Sequence, residues 1–497
     1  MQSLNDRFRP LFYPESVAVI GASMSPHKWG FGITHNIING GYRGALYPIN
    51  LKEKEIMGRK AYPSLFDVPG PVDLAMIVVP PPAVMGAIKD CQRKKVGAAV
   101  IITAGFGEVG PAEKEMELAI VEQIKKTPNF VVIGPNCQGI VSTPKRLFAQ
   151  IISLQPDHGH MSIVSQSGNV GGSMLHWGTA NNIGYSKFVS SGNEAITTVE
   201  DLIEYYGEDP DTKVILAYIE GVKNGRRFIE VCRKITPKKP IVVLKGGQTE
   251  AGGRAAASHT GSMAGSNEIF EAMCRQIGIT VTHDVSELFY TGATFLNQPL
   301  PRGNKVAIVT IGGGWGVLTA DSAVKMGLEV TKLRSKTIER LNEFLAARWS
   351  HGNPVDLAAS EGDEIVKRAL EVVIADTNVD AVIQLGLGFG GRAHEMKKRP
   401  SFLFAEKDKE KILDAIIARM LKNDMAIAQA ALYLSDKYRK PVISSSDSVV
   451  GKAVPGNLTL EFLADNERVV HQTPLEAARV LAHLVRYAKF LDSLNLQ

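Results

Sequence analysis

The chain has 497 residues, 44% apolar and 22% charged, which is too long for one hydrophobic core and fits about three soluble domains at roughly 150 residues each. A net charge of +5 over this length does not imply nucleic acid, and a patch for a polyanionic small molecule accounts for it. Cys91, Cys137, Cys232 and Cys274 include no CxxC pair, so neither a zinc site nor a disulfide framework is indicated, and with no apolar signal core and no run near the roughly 18 apolar residues of a membrane span the expected location is a reducing cytoplasm.

The first predicted strand is Ser16–Ile20, followed by Ala45–Ile49, Leu74–Val79, Ala98–Ile102 and Phe130–Ile133. Their short apolar, β-branched runs read as parallel strands buried on both faces. Strands alternating with helix-period segments give a right-handed, doubly wound α/β sheet. Gly21, Ala22 and Ser23 open the loop after the first strand, and Lys28 closes it before a helix. Doubly wound folds bind phosphates at this place, on backbone N–H groups and the helix N-terminus. The spacing is not GxGxxG, and the bland alternative is a glycine turn with no ligand. Nicotinamide enzymes place an acid after the second strand. Here Asn50 and Lys52 stand there, favouring a ligand with an additional phosphate.

Three more strand ends carry special loops: Val79-Pro80, Thr103-Ala104-Gly105, and Gly134-Pro135-Asn136. Proline cannot continue a central ladder, so the chain turns away and exposes backbone. Together the four ends define one crevice, where open α/β sheets bind ligands.

A second set of strands runs Met161–Val164, Lys187–Val189, Val214–Ile219 and Pro240–Leu244, closed by Ile279–Val281. Ser165-Gln166-Ser167-Gly168 joins the first of these to a helix, an arrangement that makes either an anion site or an ordinary capped helix start. The stretch Lys245 to Gly265 is long and rich in small residues, so it is expected to move and to approach other backbone closely. Of 11 histidines, only His259 stands in such a loop. A neutral imidazole can attack phosphorus, given a carboxylate to fix its tautomer and stabilise the imidazolium. Glu220, ending an apolar strand with no evident structural reason, is the candidate.

The turn-rich segment Asn297 to Asn304 reads as a linker. A third set of strands follows at Lys305–Ile311, Ala381–Leu385 and Pro441–Ile443, and a final helix begins near Pro474. Gly312 to Gly316 repeats the glycine turn after the first of these strands, and the charged run Lys407 to Ile412 reads as a solvated helix face.

Ser16-Val-Ala-Val-Ile-Gly-Ala-Ser23, Tyr47-Pro-Ile-Asn50, Gly134-Pro-Asn136, Ser165-Gln-Ser-Gly168, Tyr218-Ile-Glu-Gly221 and Ser258-His-Thr-Gly261 occur in this order. Over nearly the whole chain they resemble the NDP-forming acyl-CoA synthetases, relatives of succinyl-CoA synthetase. The resemblance implies a Rossmann-like CoA-binding domain over residues 1–145 and two flavodoxin-like ligase domains over 146–300 and 301–497. It implies a reaction in which acyl-CoA, phosphate and ADP interconvert with the free acid, CoA and ATP. An acyl phosphate forms first, its phosphoryl group passes to a histidine matching His259, and Glu220 matches the carboxylate that steadies it. Ser165, Gln166, Ser167 and Gly168 match the phosphate station, and the four crevice loops match the CoA site. The family's ATP-grasp module has no counterpart after residue 300. The resemblance therefore implies an ATP-grasp beta subunit that supplies ADP/ATP and Mg2+, in an assembly with two copies of each subunit. Three departures stand out: Trp315 replaces a usual proline, Asn193-Glu194-Ala195-Ile196-Thr197 lacks the aspartate often found after this turn, and Gly246-Gly247 replaces a more basic pattern after Lys245.

A catalytically inactive CoA-binding regulatory protein of the same fold is the alternative, but it would have no need of His259 and Glu220. An NAD(P)-dependent dehydrogenase is disfavoured by Lys52 and the missing GxGxxG.

Overall fold

The structure is a computed structural model that describes residues 3–254, 266–357, 363–387, 406–446 and 458–494. The chain divides into two compact units, Met1–Gly292 and Ala293–Gln497.

The first unit opens with helix α1 (Leu4–Phe12) and strand β1 (Ser16–Ile20), then α2 (Trp29–Asn39) and β2 (Ala45–Ile49). A two-stranded ribbon, β3 (Glu55–Ile56) and β4 (Arg59–Lys60), precedes β5 (Leu74–Ile77), α3 (Pro81–Lys94), β6 (Ala98–Ile101), α4 (Pro111–Ile124) and β7 (Val131–Ile133). The first sheet is parallel in the order β2-β1-β5-β6-β7. Its residues are apolar on both faces because helices cover both, and Val17, Ala75 and Val100 are fully buried. The proline run ends β5 at Ile77 and starts α3 at Pro81, whose fixed φ suits a first helical turn.

A second sheet uses β8 (Gly139–Ser142), β9 (Leu147–Gln150), β10 (His158–Ser165), β11 (Tyr185–Ser190), β12 (Val214–Ile219), β13 (Ile241–Lys245) and β14 (Thr280–Thr282). Their order is β14-β13-β12-β10-β11-β8-β9. The β10 to β14 pairings are parallel, whereas β8 and β9 form a hairpin that joins β11 antiparallel. Residue 145 therefore lies inside a hairpin of the second sheet. The hairpin strands are buried throughout, so their sequence lacks the alternation that would mark an added edge. Helices α5 (Gly168–Ala180), α6 (Val199–Glu208), α7 (Gly225–Ile235) and α8 (Asn267–Gln276) flank this sheet, and α9 (Val285–Asn297) ends where the turn-rich segment begins.

Helix α1 ties the two sheets of this unit. Phe8 and Phe12 stack on Tyr205 of α6, at 4.9 and 4.8 Å between centroids, and Ser142 Oγ donates to the Phe12 carbonyl at 2.6 Å. Beside them Lys187 of β11 is wholly buried and paired with Asp209 at 2.7 Å. Tyr13 donates to Asp211 at 2.6 Å and holds that carboxyl below the usual carboxylate range. His158 and His160 are structural here, bonded through Nδ1 to the Thr143 hydroxyl at 2.9 Å and the Asp211 carbonyl at 3.0 Å.

Among its described residues, the second unit has β15 (Lys305–Thr310), β16 (Glu329–Val330), β17 (Val355–Asp356), β18 (Ala381–Leu385) and β19 (Val442–Ser445), all pairing parallel. The order is β16-β15-β18-β19, with β17 also on β15. Its helices are α10 (Gly313–Lys325), α11 (Ser335–Asn342), α12 (Asp363–Ile374), α13 (Glu406–Tyr438), α14 (Leu458–Asp465) and α15 (Pro474–Ser493). The charged run that begins at Lys407 lies within α13. Among the described residues no helix is long and apolar enough to cross a membrane.

Candidate functional site

Two glycines bring the first loop and α2 together. Gly21 takes a left-handed φ of +98°, and a Cβ on Gly30 would lie 2.0 Å from the Gly21 carbonyl oxygen. Only hydrogen fits between them, so the chain turns tightly under the first turn of α2. No side chain caps that turn, and its N-cap, Lys28, is exposed. Asn50 braces the loop from β2: its Nδ2 donates to the Ala22 carbonyl at 2.8 Å, and its Oδ1 accepts from the N–H groups of Lys52 and Glu53 at 2.8 and 3.0 Å. Ser23 is buried and accepts from the Ser25 N–H at 3.1 Å. Lys28 and Lys52, on the two loops that Asn50 joins, both point charge into solvent, where a polyanion would meet it.

The remaining strand ends are laced sideways. Thr103 Oγ1 donates to the Val79 carbonyl at 2.7 Å, and the Asn136 N–H donates to the Thr103 carbonyl at 2.9 Å. Pro80 is exposed beside half-buried Val79, Ala104 and Gly105. The Glu108 carboxylate accepts from the Gly105 and Phe106 N–H groups at 2.6 and 3.2 Å. Burial pushes its pKa up, but these bonds and one from Asn193 outweigh burial and hold it below the usual range.

Asn193 joins the two sheets of this unit. Its Nδ2 donates to Glu108 at 2.6 Å and Glu117 at 2.9 Å, and its Oδ1 accepts from Asn136 at 3.2 Å. The turn carrying it sits so close to the Gly134-Pro135-Asn136 turn that a Cβ on Gly192, φ +59°, would lie 2.3 Å from the Pro135 oxygen.

The second loop cluster opens α5. Ser165 ends β10 and donates through Oγ to the Ser167 carbonyl at 2.5 Å. Ser167 is the N-cap, its Oγ accepting from the Val170 N–H at 3.4 Å. Gln166 has a role the sequence did not disclose. Its Oε1 accepts from the Glu220 and Gly221 N–H groups at 2.5 and 3.1 Å, and its Nε2 donates to the Gly221 carbonyl at 2.8 Å. One amide thus fixes the turn that holds the candidate carboxylate. Glu220 is 8% exposed, accepts from the Tyr218 hydroxyl at 3.3 Å, and its carbonyl accepts from Lys245 Nζ at 2.9 Å. Burial, then the Glu220 charge, pushes the Tyr218 hydroxyl up to about 12.

A cavity of about 290 Å³ connects the two clusters. Asn136 reaches it from the crevice, Gln166, Ser167 and Gly168 from the α5 start, and Lys223 from the loop after β12, over an apolar floor that includes Ile152. Gly21, Ala22, Ser23, Lys28, Asn50, Lys52, Val79, Pro80, Thr103, Ala104 and Gly105 do not line it; they lie at and after the ends of β1, β2, β5 and β6, the outer crevice expected from the sequence. Lys223 and Asn193 were missed in the sequence. The available signal was their position: Ser191-Gly192-Asn193 follows β11 as Ser165–Gly168 follows β10, and Lys223 follows β12. His259 lies outside the described residues, so the structure does not address its pairing with Glu220. In the second unit, Gly312 is the N-cap of α10, and its N–H donates to Thr310 Oγ1 at 3.2 Å. Among the described residues no three His, Cys, Asp or Glu side chains are placed to hold a metal.

Residues 15–143 match a family described as CoA binding domain, 158–295 the succinyl-CoA ligase like flavodoxin domain, and 306–446 the Ligase-CoA domain. The alpha subunit of ADP-forming acetate–CoA ligase II of Pyrococcus furiosus is 45% identical over 75% of this chain and 81% of its own length. ADP-forming acetate–CoA ligase I of Archaeoglobus fulgidus is 40% identical over 76% of this chain, which spans 54% of that longer protein. The solved dinucleotide forming acetyl-coenzyme A synthetase 1 of Ca. Korarchaeum cryptofilum, in complex with phosphate and ADP, superposes with a TM-score of 0.82 at 32% identity, covering 98% of each chain.

Proposed function

Because the chain belongs to the ADP-forming acyl-CoA synthetases, we propose that it is their CoA-binding, histidine-phosphorylated subunit. The observation that carries this reading is the cavity in which Asn136 of the crevice faces Gln166, Ser167 and Gly168. A thioester held in the crevice and a phosphate held at the α5 start would meet there. Inorganic phosphate attacks the thioester carbonyl, the C–S bond breaks, and the proton passes to the CoA thiol. His259 then attacks phosphorus, the P–O bond to the acyl group breaks, and the free carboxylate leaves. The α5 N-terminus supplies preorganised N–H donors for the charge, and Glu220 stabilises the imidazolium form of His259.

The outer crevice fits CoA: an uncapped helix start and two exposed lysines suit its phosphates, and the apolar cavity floor suits its pantetheine end. CoA supplies the thiol that carries the acyl group. ADP/ATP and Mg2+ binding fall, on this reading, to an ATP-grasp beta subunit, two copies of each subunit assembling in the cytoplasm. The naming of the Pyrococcus relative as an alpha subunit supports a partner.

Calorimetric titration of the chain with CoA, NAD and NADP tests the reading. CoA is expected to bind and the nicotinamides are not. Gly30→Ala, which forces a methyl group against the Gly21 carbonyl, is expected to weaken CoA by at least ~10-fold, about 1.4 kcal/mol. Nicotinamide binding without CoA binding would overturn the reading.

Glu220→Gln keeps the shape and removes the charge. A hydrogen bond to a charged group contributes about 1.5–3 kcal/mol, so the yield of acid-labile phosphoprotein from acyl-CoA and labelled phosphate is expected to fall roughly 10- to 100-fold, with CoA affinity unchanged. A normal yield removes Glu220 from the scheme.

A further inference from the structure

Glu194 leaves the β11 turn in a left-handed conformation, φ +52°, and is 2% exposed. A non-glycine residue held there is strained and needs its surroundings to impose it. Its Oε1 accepts from Ser191 Oγ at 2.7 Å and its buried Oε2 makes no hydrogen bond of normal geometry among the described residues, although the Gln166 side chain is close enough to favour the charged form. Ser191 in turn donates its N–H to the Ser165 carbonyl at 2.9 Å. Through Ser191 the carboxyl is thereby linked to Ser165, the residue that opens the loop leading into α5. Lys223 clamps the same turn, Nζ donating to the Asn193 and Glu194 carbonyls at 2.8 and 2.6 Å.

The charged groups acting on this carboxyl are Lys223, from the loop after β12, and Glu200, from α6; the Gln166 amide and the Ser191 hydroxyl are its polar neighbours. Burial pushes its pKa up to about 7, Glu200 adds to the rise, and Ser191, Gln166 and Lys223 oppose it. A second negative charge close by would disfavour ionisation further. A charged carboxylate linked in this way to an anion site would also repel what the site must hold.

We propose that Glu194 is a proton-linked positioning residue of the anion station: it takes a proton from solvent when a phosphate dianion occupies Ser165–Gly168 and returns it when the anion leaves. As a neutral acid it keeps Ser191 and its turn in place without opposing the ligand. The inference rests on the phosphate-station reading above.

The test titrates the full chain, saturated with CoA, with sulfate, a dianion that does not itself titrate near neutrality. Calorimetry at about pH 6, 7 and 8, in buffers of different ionisation enthalpy, counts the protons taken up. Wild-type protein is expected to take up nearly one proton per sulfate at the highest pH and almost none at the lowest. Its sulfate Kd is expected to rise about tenfold per unit above neutrality. Glu194→Gln is expected to bind sulfate with a Kd flat across this range, equal to the wild-type value at the lowest pH, and without proton uptake. A purely structural role would shift affinity equally at every pH. Sulfate binding by wild type without proton uptake, or uptake that persists in Glu194→Gln, overturns the inference and leaves the station intact. Failure of both sulfate and inorganic phosphate to bind overturns the station and the inference with it.

Discussion

Replacing His259 by alanine is expected to abolish turnover and acid-labile phosphoryl labelling, a loss on the order of 10³-fold or more, as removal of a nucleophile elsewhere does. CoA affinity is expected to stay unchanged, because the crevice of Gly21, Asn50, Thr103 and Asn136 is built from other strand ends. The reason lies in the chemistry of carriage. On the proposed mechanism the phosphoryl group travels to a nucleotide on a partner subunit, and such a transfer needs a covalent carrier. Residues 245–265 are rich in glycine, alanine and serine, with His259 among them. Labelled inorganic phosphate supplied with acyl-CoA reads the result. Label retained by His259→Ala, or turnover near the wild-type rate, would remove the phosphohistidine from the mechanism.

The second large effect concerns stability. Lys187 is fully buried, donates to Asp209 at 2.7 Å and to Ser186 at 3.0 Å, and lies over the Tyr13 ring. Lys187→Ala leaves Asp209 charged in a site that excludes water, which costs about 3–5 kcal/mol. Chemical denaturation of the first unit's transition is expected to show that loss. The paired replacement Lys187→Met with Asp209→Leu is expected to recover much of it, since removing both charges removes the desolvation penalty. A loss below ~1 kcal/mol in Lys187→Ala would mean that the pair is not the clamp it looks to be. The same lysine holds α1 against the second sheet, so its loss is expected to free the N-terminal helix first.

Much of this architecture was legible because parallel strands announce themselves. Val214–Ile219 and Lys305–Thr310 are apolar on both faces, and no surface helix has that pattern. The loops following such strands were legible for the same reason, since the ligand crevice of an open sheet lies at its carboxyl ends. What stayed hidden has physical causes. β16 and β17 are two residues each, too short for any periodicity. β8 and β9 are not among the predicted strands: each is four residues long with no alternation of buried and exposed positions, and nothing local says which sheet they join. At the site, Gly21, Ser165 and Glu220 could be placed because each ends a strand. The work of Gln166 could not, because its partners, Glu220 and Gly221, are distant in sequence and meet it only in the folded sheet. Asn193 bridges Glu108, Glu117 and Asn136, a junction that only the packing of two sheets creates.

The β8–β9 hairpin also has a consequence for synthesis. A nascent chain exposes it before α5 and β11 exist, and the edge of Gly139–Ser142 that faces away from Leu147–Gln150 is covered only once β11 has paired with it. At ~5–20 residues per second, the ribosome leaves this apolar edge waiting for seconds. During that interval it is an open template for other chains. Polypeptides that stall or terminate between Gln150 and Tyr185 are therefore the ones expected to aggregate or to recruit chaperones, whereas those extended past β12 carry their own cover.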